Sequence, residues 1–281
     1  MGTKRHSPWY TAVTMLHFSR MTEYKNDQEF LENYGYDING AWYPRVTKIV
    51  EIKAKPALYR FYAQLPSFEH GEAIKEQSAK EGTAVHEAVE AILMGTTDIP
   101  TTLSIKPAIE AFLAFKDHLN IAVEPSLVEK RVANAKERYA GTVDALATIN
   151  GKFGILDIKT SQSAYRDYNL QTAAYMGALR DEFPDLSTRW ILRIDQFQTC
   201  SKCGSTMRSK GGREKVRLIW KSGDFTVRRK AERCEHEWAD PKGDVELVES
   251  PVWENDFHAF LGAKRLWEWE HEEILKKIGY L

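Results

Sequence analysis

The sequence predicts an α/β fold in which helices pack on a mixed central sheet. Residues 78–95 and 106–119 repeat apolar side chains at helical spacing, whereas 126–132, 139–149 and 152–161 are short runs rich in β-branched residues, as strands are. The later pattern predicts a helix at 170–182, strands at 189–195 and 244–249, and a last helix at 257–278. This order of elements is typical of an α/β sandwich.

The composition is that of a soluble globular protein. The chain has 281 residues, of which 43% are hydrophobic and 28% are charged, and its formal net charge is −1. The N-terminal residues lack the apolar core of a signal peptide, and no stretch approaches the roughly eighteen apolar residues of a membrane span. We therefore expect an intracellular protein, in the cytoplasm or nucleoid, with no membrane partner.

Charge divides the chain unevenly. Residues 199–243 hold 12 Lys and Arg against 6 Asp and Glu, a net charge of +6 that leaves −7 for the rest of the chain. We interpret 199–243 as a basic insert in a main domain made of 41–198 and 244–281. Residues 1–40 form an N-terminal extension whose role the sequence does not indicate.

Two acidic residues and a lysine are predicted to meet on one hairpin. Asn150-Gly151 is the strongest two-residue hairpin signal, because a type I′ turn needs positive φ at both central positions. Residues whose numbers add up to 301 then lie opposite each other, so Asp144 faces Asp157 with Cβ atoms roughly 5 Å apart. Lys159 is two residues beyond Asp157 and projects from the same face of the strand.

Facing carboxylates destabilise a hairpin unless a cation lies between them. A divalent ion held by carboxylates polarises a phosphoryl oxygen, and a nearby ammonium offsets the charge that develops during phosphodiester hydrolysis. A lysine beside a metal can also lose its proton and act as a general base. The alternative is an exposed hairpin in which Asp157 and Lys159 form a solvated ion pair.

Several short motifs follow one another along the chain. They are YPRVT at 43–47 with KPAL at 55–58, GTAVH at 82–86, GTVD at 141–144, DIKT at 157–160 and QTAAY at 171–175. In this order they resemble the RecB-like branch of the PD-(D/E)XK nucleases, especially the phage-type and mitochondrial-maintenance-type exonucleases. The resemblance covers residues 43–195 and resumes near 244, and it depends on the order of the motifs, since each alone is common.

The resemblance implies a restriction-endonuclease-like α/β/α sandwich on a mixed sheet. It also implies a catalytic Mg²⁺ or Mn²⁺ ion, whose ligands would be His86, Asp144, Asp157 and the backbone carbonyl of Ile158. Lys159 would serve the nucleophile, and Gln171 and Tyr175 would lie near the substrate phosphate and the lysine. Glu129, on the preceding strand, is a candidate additional acidic group. The structural alternatives are an ordinary helix histidine at 86 and a core tyrosine at 175 beside an exposed glutamine.

The insert carries a candidate structural zinc site. Three cysteines cannot all pair within one chain, and three thiolates with one imidazole meet the four-ligand demand of zinc. The four ligands would be Cys200, Cys203, Cys234 and His236, with a hairpin turning at Ser222-Gly223-Asp224 between the two pairs, as in a zinc ribbon. The C-x-H spacing of the second pair departs from the usual C-x-x-C. An iron–sulfur cluster on four cysteines does not suit a chain that has three.

The insert is also rich in side chains that attract phosphates. We predict that it binds DNA through basic residues that neutralise backbone phosphates, namely Arg208, Lys210, Arg213, Lys215, Arg217, Arg228, Arg229 and Lys230. The alternative is a charged hairpin that only faces solvent.

We therefore expect a DNA nuclease, an exonuclease acting on single- or double-stranded ends in replication, recombination or repair, alongside proteins of those pathways. The phage-type resemblance extends the expectation to a phage-encoded protein in the host cytoplasm. Two alternatives stay open: a structure- or sequence-selective endonuclease of the same fold, and a nucleic-acid-binding module that has lost catalysis. The intact carboxylate pair and Lys159 argue against the second.

Overall fold

The computed structural model describes residues 24–220 and 224–281. The first half contains α1 (Asp27–Tyr34), β1 (Gly35–Ile38), β2 (Ala41–Pro44), α2 (Val46–Val50), α3 (Pro56–Ala63), α4 (Phe68–Leu93), α5 (Lys106–Leu119), β3 (Ala122–Asn134), β4 (Tyr139–Ile149) and β5 (Lys152–Lys159). The second half contains α6 (Tyr168–Leu179), β6 (Thr188–Thr199), β7 (Thr206–Lys210), β8 (Arg213–Arg217), α7 (Phe225–Glu232), β9 (Lys242–Glu249), α8 (Glu254–Glu270) and α9 (Glu272–Lys277).

A mixed seven-stranded sheet organises the described chain. Its strands follow the order β3-β4-β5-β6-β7-β8, and β9 pairs with β6. The β5–β6 pair is parallel, and the other pairs are antiparallel. The predicted mixed α/β architecture is confirmed at this level.

Helices pack on both faces of this sheet, because successive side chains of the central strands point to opposite sides. On one face, Leu146 and Ile155 join a core with residues of α2, α6 and α8. On the other face, Leu156 and Ile158 join a second core with residues of α4 and α5. The alternation of side chains along the strands thus gives a three-layer arrangement, in which helices cover the end of β5 on both faces of the sheet.

The end of the N-terminal extension belongs to the main body of the protein. Asn26 caps α1 by accepting a hydrogen bond from the backbone N–H of Glu29. Phe30 of α1 is fully buried and stacks against Trp267 of α8, with ring centroids 6.3 Å apart. Residues 1–23 of the predicted extension lie outside the described residues.

Several helix boundaries differ from the prediction. The helix expected at 78–95 begins ten residues earlier, at Phe68, because Ser67 caps it by accepting from the backbone N–H of His70. The long C-terminal helix is broken at His271 into α8 and α9. Trp267 of α8 is buried in the core, whereas Trp269 is 66% exposed.

The hairpin of the insert is not where the sequence placed it. The strand expected after Ser222-Gly223-Asp224 is wrong, because Phe225–Glu232 form helix α7. The hairpin that the structure describes is formed by β7 and β8, which turn at Gly211-Gly212, whose φ angles of 64° and 72° suit glycine. Asp224 instead caps α7 by accepting a hydrogen bond from the backbone N–H of Thr226. Residues 221–223 lie outside the described residues. The hairpin still separates the two predicted ligand pairs of the insert.

Within residues 24–220 and 224–281, none of the helices combines the length and apolar character that crossing a bilayer requires.

Candidate functional site

The predicted hairpin and its register are confirmed. Asn150 and Gly151 have φ angles of 50° and 77°, as a type I′ turn requires. The pairs between β4 and β5 run from Ile149↔Lys152 to Ala145↔Leu156, so residue numbers add up to 301 throughout. Asp144 and Asp157 are the next residues along each strand. From there β5 continues beside β6 alone, and the two carboxylates lie where β4 and β5 part.

The two aspartates have different environments. Asp144 accepts a hydrogen bond of 2.6 Å from the backbone N–H of Ile158, so its carboxylate takes the place of a strand partner. Asp157 is fully buried. Within the described residues, neither of its oxygens accepts a hydrogen bond of good geometry. A buried carboxylate with unsatisfied oxygens is costly and calls for a cation.

Lys159 supplies positive charge beside Asp157. Its Nζ lies 2.6 Å from Asp157 Oδ2, which is an ion-pair distance, and the solvated ion pair considered above is excluded because Asp157 is buried. The ammonium also lies 5.3 Å from the ring centroid of Tyr168. Burial lowers the pKa of Lys159, but the charges of Asp157 and Asp144 outweigh it, and the net pKa is raised. In this arrangement Lys159 is a cation.

The raised pKa values of the two carboxylates indicate that too little positive charge lies near them. Burial raises the pKa of Asp144 to about 6, against the lowering effects of Lys159 and the Ile158 N–H. Burial likewise raises the pKa of Asp157 to about 6, Lys159 lowers it, and the charge of Asp144 raises it further. One lysine therefore does not fully compensate two buried acids.

Helix α4 brings His86 and Glu90 over these strands. Burial lowers the pKa of His86, as does the charge of Lys159, which favours the neutral imidazole that metal ions bind. His86 Nδ1 is 4.0 Å from Glu90 Oε1, one helical turn away. Burial and the neighbouring Glu129 raise the pKa of Glu90 to about 7. Glu90 was missed by the sequence analysis, although its spacing four residues after His86 places both on one helix face.

Glu129 joins this group from β3. The register between β3 and β4 pairs Val128 with Ala145 and Lys130 with Val143, which places Glu129 opposite Asp144. Glu129 has a φ of 50°, in the left-handed region that non-glycine residues rarely adopt, and a register shift precedes it in β3. Strained backbone of this kind clusters at functional sites, so Glu129 is a stronger candidate than the sequence indicated.

Glycines in two of the sequence motifs permit close approach. A Cβ on Gly82 of α4 would lie 2.8 Å from Thr160 Oγ1, so the helix contacts the end of β5 directly. A Cβ on Gly141 of β4 would lie 2.6 Å from the ring of Tyr175. The glycines before His86 and Asp144 therefore have a packing reason that the motif alone does not reveal.

Gln171 and Tyr175 form a pair on α6. Gln171 Nε2 donates a hydrogen bond of 3.0 Å to Tyr175 Oη, and Tyr175 is buried at 1% exposure. Burial, with the charges of Asp157 and Asp144, raises the pKa of Tyr175 well above its ordinary value. Tyr175 therefore lies in the core against the acidic pair, as the structural alternative expected, while Gln171 is half-buried and bound to it.

The donor set of this acidic centre suits a hard divalent cation by its chemistry. Carboxylates, an imidazole and a backbone carbonyl are available, and Oδ1 of Asp157 has no partner among the described residues. The side chains of His86, Asp144 and Asp157 are not gathered as closely as a closed metal site requires. In the part of the chain that the structure describes, only the cysteine and histidine residues of the insert bring their ligand atoms close enough together.

The four predicted ligands of the insert do come together. The ligand atoms of Cys200, Cys203, Cys234 and His236 all lie within 4.8 Å of one another. Cys200 Sγ is 3.9 Å from Cys234 Sγ, and Cys203 Sγ is 3.4 Å from His236 Nδ1. This Cys/His cluster could bind a metal such as zinc.

Local structure supports the Cys/His cluster. The backbone N–H of Gly204 donates to the carbonyl of Cys200, which closes the turn between β6 and β7, and Gly204 has a φ of 76°. Burial raises the pKa of the Cys200 thiol, but hydrogen bonds from His236 and the backbone outweigh it and lower the pKa to about 6. Burial and the other two cysteines raise the pKa of Cys234 to about 11.

The eight predicted DNA-binding residues fall into two groups. Those of the β7–β8 hairpin lie beside β6 and the segment that follows β5: Arg208 Nε is 2.5 Å from Asp195 Oδ2, and Lys215 Nζ donates to Gln162 Oε1 at 3.2 Å. Arg213 stacks over Phe61, and Arg217 is exposed. The members of the other group, Arg228, Arg229 and Lys230, are exposed on α7.

Comparisons with known proteins give little further information. No protein-family profile and no curated protein sequence matches this chain. Among solved structures, it aligns with one described as "Crystal structure of SSO0001", at 19% identity over 73% of this chain and 81% of that chain. The TM-score of that alignment is 0.28, which carries no argument about fold or function.

Proposed function

We propose that this protein is a metal-dependent DNA nuclease of the PD-(D/E)XK type, with a restriction-endonuclease-like fold. The observation that carries the proposal is the buried Asp157, whose Oδ2 is paired with Lys159 Nζ at 2.6 Å while Oδ1 has no partner among the described residues, with Asp144 on the adjacent strand. A protein keeps such an arrangement at a cost in stability, which function explains better than packing does.

The metal in this proposal is Mg²⁺ or Mn²⁺, held by His86, Asp144, Asp157 and the carbonyl of Ile158. When bound there, it would supply Lewis-acid polarisation of a phosphoryl oxygen. Lys159, whose pKa is raised by the two aspartates, stays protonated in the metal-free chain and can donate hydrogen bonds to a phosphate oxygen. This favours charge stabilisation over general-base catalysis as its role.

The remaining side chains orient this centre. Gln171 donates a hydrogen bond to Tyr175. Tyr175 packs on Gly141, which is three residues before Asp144 in β4. Through these contacts α6 fixes the end of β4. Basic residues of the insert would attract the DNA backbone, which the acidic remainder of the chain repels.

We further propose that the Cys/His cluster holds a structural Zn²⁺ ion. Three thiolates and an imidazole are soft ligands that favour zinc over Mg²⁺ or Mn²⁺, and four ligands close the site to solvent and substrate. The two proposed metals therefore have separate places and separate roles.

A cleavage assay tests the proposed function. Purified protein is incubated with end-labelled linear DNA and with circular DNA, in Mg²⁺, in Mn²⁺ and in EDTA. We expect metal-dependent degradation of linear DNA and no cleavage of the circle, which is the pattern of an exonuclease. Nicking or linearisation of the circle would identify an endonuclease, and binding without cleavage of any substrate would contradict the proposal.

A further inference from the structure

The carbonyl of Thr160 is held by the basic hairpin. Thr160 directly follows Lys159, where β5 ends. Lys210 Nζ of β7 donates a hydrogen bond to this carbonyl, and Arg208 Nη2 lies 3.4 Å from it. Arg208 is itself anchored to Asp195 of β6. Two side chains that the sequence analysis assigned to DNA binding therefore point inward, to the end of the catalytic strand.

The tip of the same hairpin is fixed to α4, the helix that carries His86. The backbone N–H of Gly211 donates to Glu81 Oε2 at 3.0 Å. A Cβ on Gly211 would lie 2.1 Å from Ser78 Oγ and 2.4 Å from the carbonyl oxygen of Ile74. Only glycine fits this contact, so the hairpin and α4 approach as closely as their backbones allow.

The base of the hairpin depends on the Cys/His cluster. Strand β7 pairs with β6 through Gln198↔Met207 and Thr199↔Thr206 only, and the turn between the strands contains Cys200 and Cys203. Two ladder pairs hold a hairpin weakly. The ligands of that turn, joined to Cys234 and His236, fix the direction in which β7 leaves the sheet.

We propose that the metal-bound Cys/His cluster positions Lys159, by means of the β7–β8 hairpin and the Lys210 contact to Thr160. Lys210 is then a positioning residue for catalysis. Holding the Lys210 ammonium in this place is unfavourable, because burial and the charge of Arg208 lower the pKa of Lys210 to about 8. This inference rests on the proposed nuclease function for its effect on rate, but not for the contact itself.

Lys210→Met tests the inference, with Lys210→Arg as the conservative variant. Lys80→Met is the matched control, because Lys80 is an exposed lysine on α4 near the hairpin tip, paired with Glu76 at 2.8 Å. The first readout is the single-turnover cleavage rate at saturating DNA, beside the Kd measured in Ca²⁺ buffer. We expect Lys210→Met to lower the saturated rate by about 10- to 100-fold, and Lys210→Arg to restore most of it.

The second readout is hydrogen exchange of the backbone amides of residues 158–164, which needs no activity. We expect faster exchange there in Lys210→Met, and in the wild type after its zinc is removed. If Lys210→Met does not fold, Gly211→Ala replaces it, because the added methyl pushes the hairpin from α4 without changing a charged group. Its expected effect on exchange is the same.

Each other outcome overturns the inference. A weaker Kd with an unchanged saturated rate would make Lys210 a DNA contact only. A lower Tm with unchanged rate and unchanged exchange at 158–164 would make its role purely structural. If the wild type cleaves no DNA, the proposed function fails, while the exchange comparison still decides whether the hairpin holds the end of β5.

Discussion

The two candidate metal centres are built on different principles. In the Cys/His cluster, four ligand atoms from turns of the insert already lie within 4.8 Å of one another. In the acidic centre, the ligands come from strands β4 and β5 and helix α4, and the ammonium of Lys159 supplies the nearby positive charge. In the proposed nuclease, we therefore expect a permanently bound ion in the Cys/His cluster and an exchangeable ion in the acidic centre.

The largest expected effect separates catalysis from folding. Asp157→Ala or Lys159→Ala should lower DNA cleavage by at least about 10²- to 10³-fold, because each removes a charge that acts on the reacting phosphate. The measurement is single-turnover cleavage in Mn²⁺, with circular dichroism to check the fold.

Asp181→Ala is the control for these variants, since Asp181 is an exposed acid outside the site. Cleavage near the wild-type rate in a pure preparation of Asp157→Ala would remove the acidic centre from the proposed mechanism.

Removal of a ligand from the Cys/His cluster should affect stability and metal content instead. We expect one zinc per chain in dialysed wild type and none in Cys234→Ser, with a fall in Tm on the order of 5–10 °C. Elemental analysis and thermal unfolding measure these quantities. Ser201→Ala, in the turn between Cys200 and Cys203, is the control. A wild-type protein without zinc would contradict the distinction between the two centres.

The basic residues of α7 should contribute to affinity alone. In Arg228→Ala/Arg229→Ala/Lys230→Ala, we expect weaker DNA binding, and a slope of log affinity against log salt that shrinks by about 0.9 per lost phosphate contact on duplex DNA. The saturated cleavage rate should change little. An unchanged slope in Ca²⁺ buffer would mean that α7 faces solvent or another protein.

The smallest effect concerns the stability of the acidic centre without Mg²⁺ or Mn²⁺. The folded-state pKa of Asp144 is about 6, above its ordinary value of 3.8, so the folded chain binds this proton more tightly than the unfolded chain does. Stability should therefore fall as pH rises from about 4 to about 6. Asp144→Asn removes this loss and should raise the free energy of unfolding at pH 7 by on the order of 1 kcal/mol.

Urea unfolding at several pH values, in buffer free of Mg²⁺ and Mn²⁺, measures the difference. Asp181→Asn serves as the exposed control. A constant gap between Asp144→Asn and wild type from pH 4 to pH 7 would show that the carboxylate does not carry the effect.

Local patterns predicted the centre of the molecule well. Helix α5 has the predicted bounds, and the Asn150-Gly151 turn alone fixed the register that brings Asp144 next to Asp157. Both features depend on neighbouring residues, which the sequence displays directly. The cluster of Cys200, Cys203, Cys234 and His236 was predictable for another reason: three cysteines and one histidine supply the four ligands of a structural zinc site.

Long-range contacts were not predictable from such patterns. Lys210 and Arg208 look like surface cations in the sequence, and only the fold turns them towards Thr160. The strained φ of Glu129 and the burial of Tyr175 likewise depend on packing between distant elements. The turn at Gly211-Gly212 was not predicted, although two adjacent glycines are a local turn signal.

Strand β6 pairs with β5, β7 and β9, and its pairing with β9 has a consequence for the folding rate. Its pairing with β9, from Trp190↔Glu249 to Phe197↔Lys242, encloses the whole insert, a loop of roughly 45 residues whose closure entropy must be overcome before the strands pair. A metal that joins Cys200 and Cys203 to Cys234 and His236 shortens that loop to roughly a quarter of its length, which lowers the closure free energy by about 1 kcal/mol. If the Cys/His cluster holds zinc early in folding, we expect refolding with zinc present to be about fivefold faster than without it, although the metal does not contact β9.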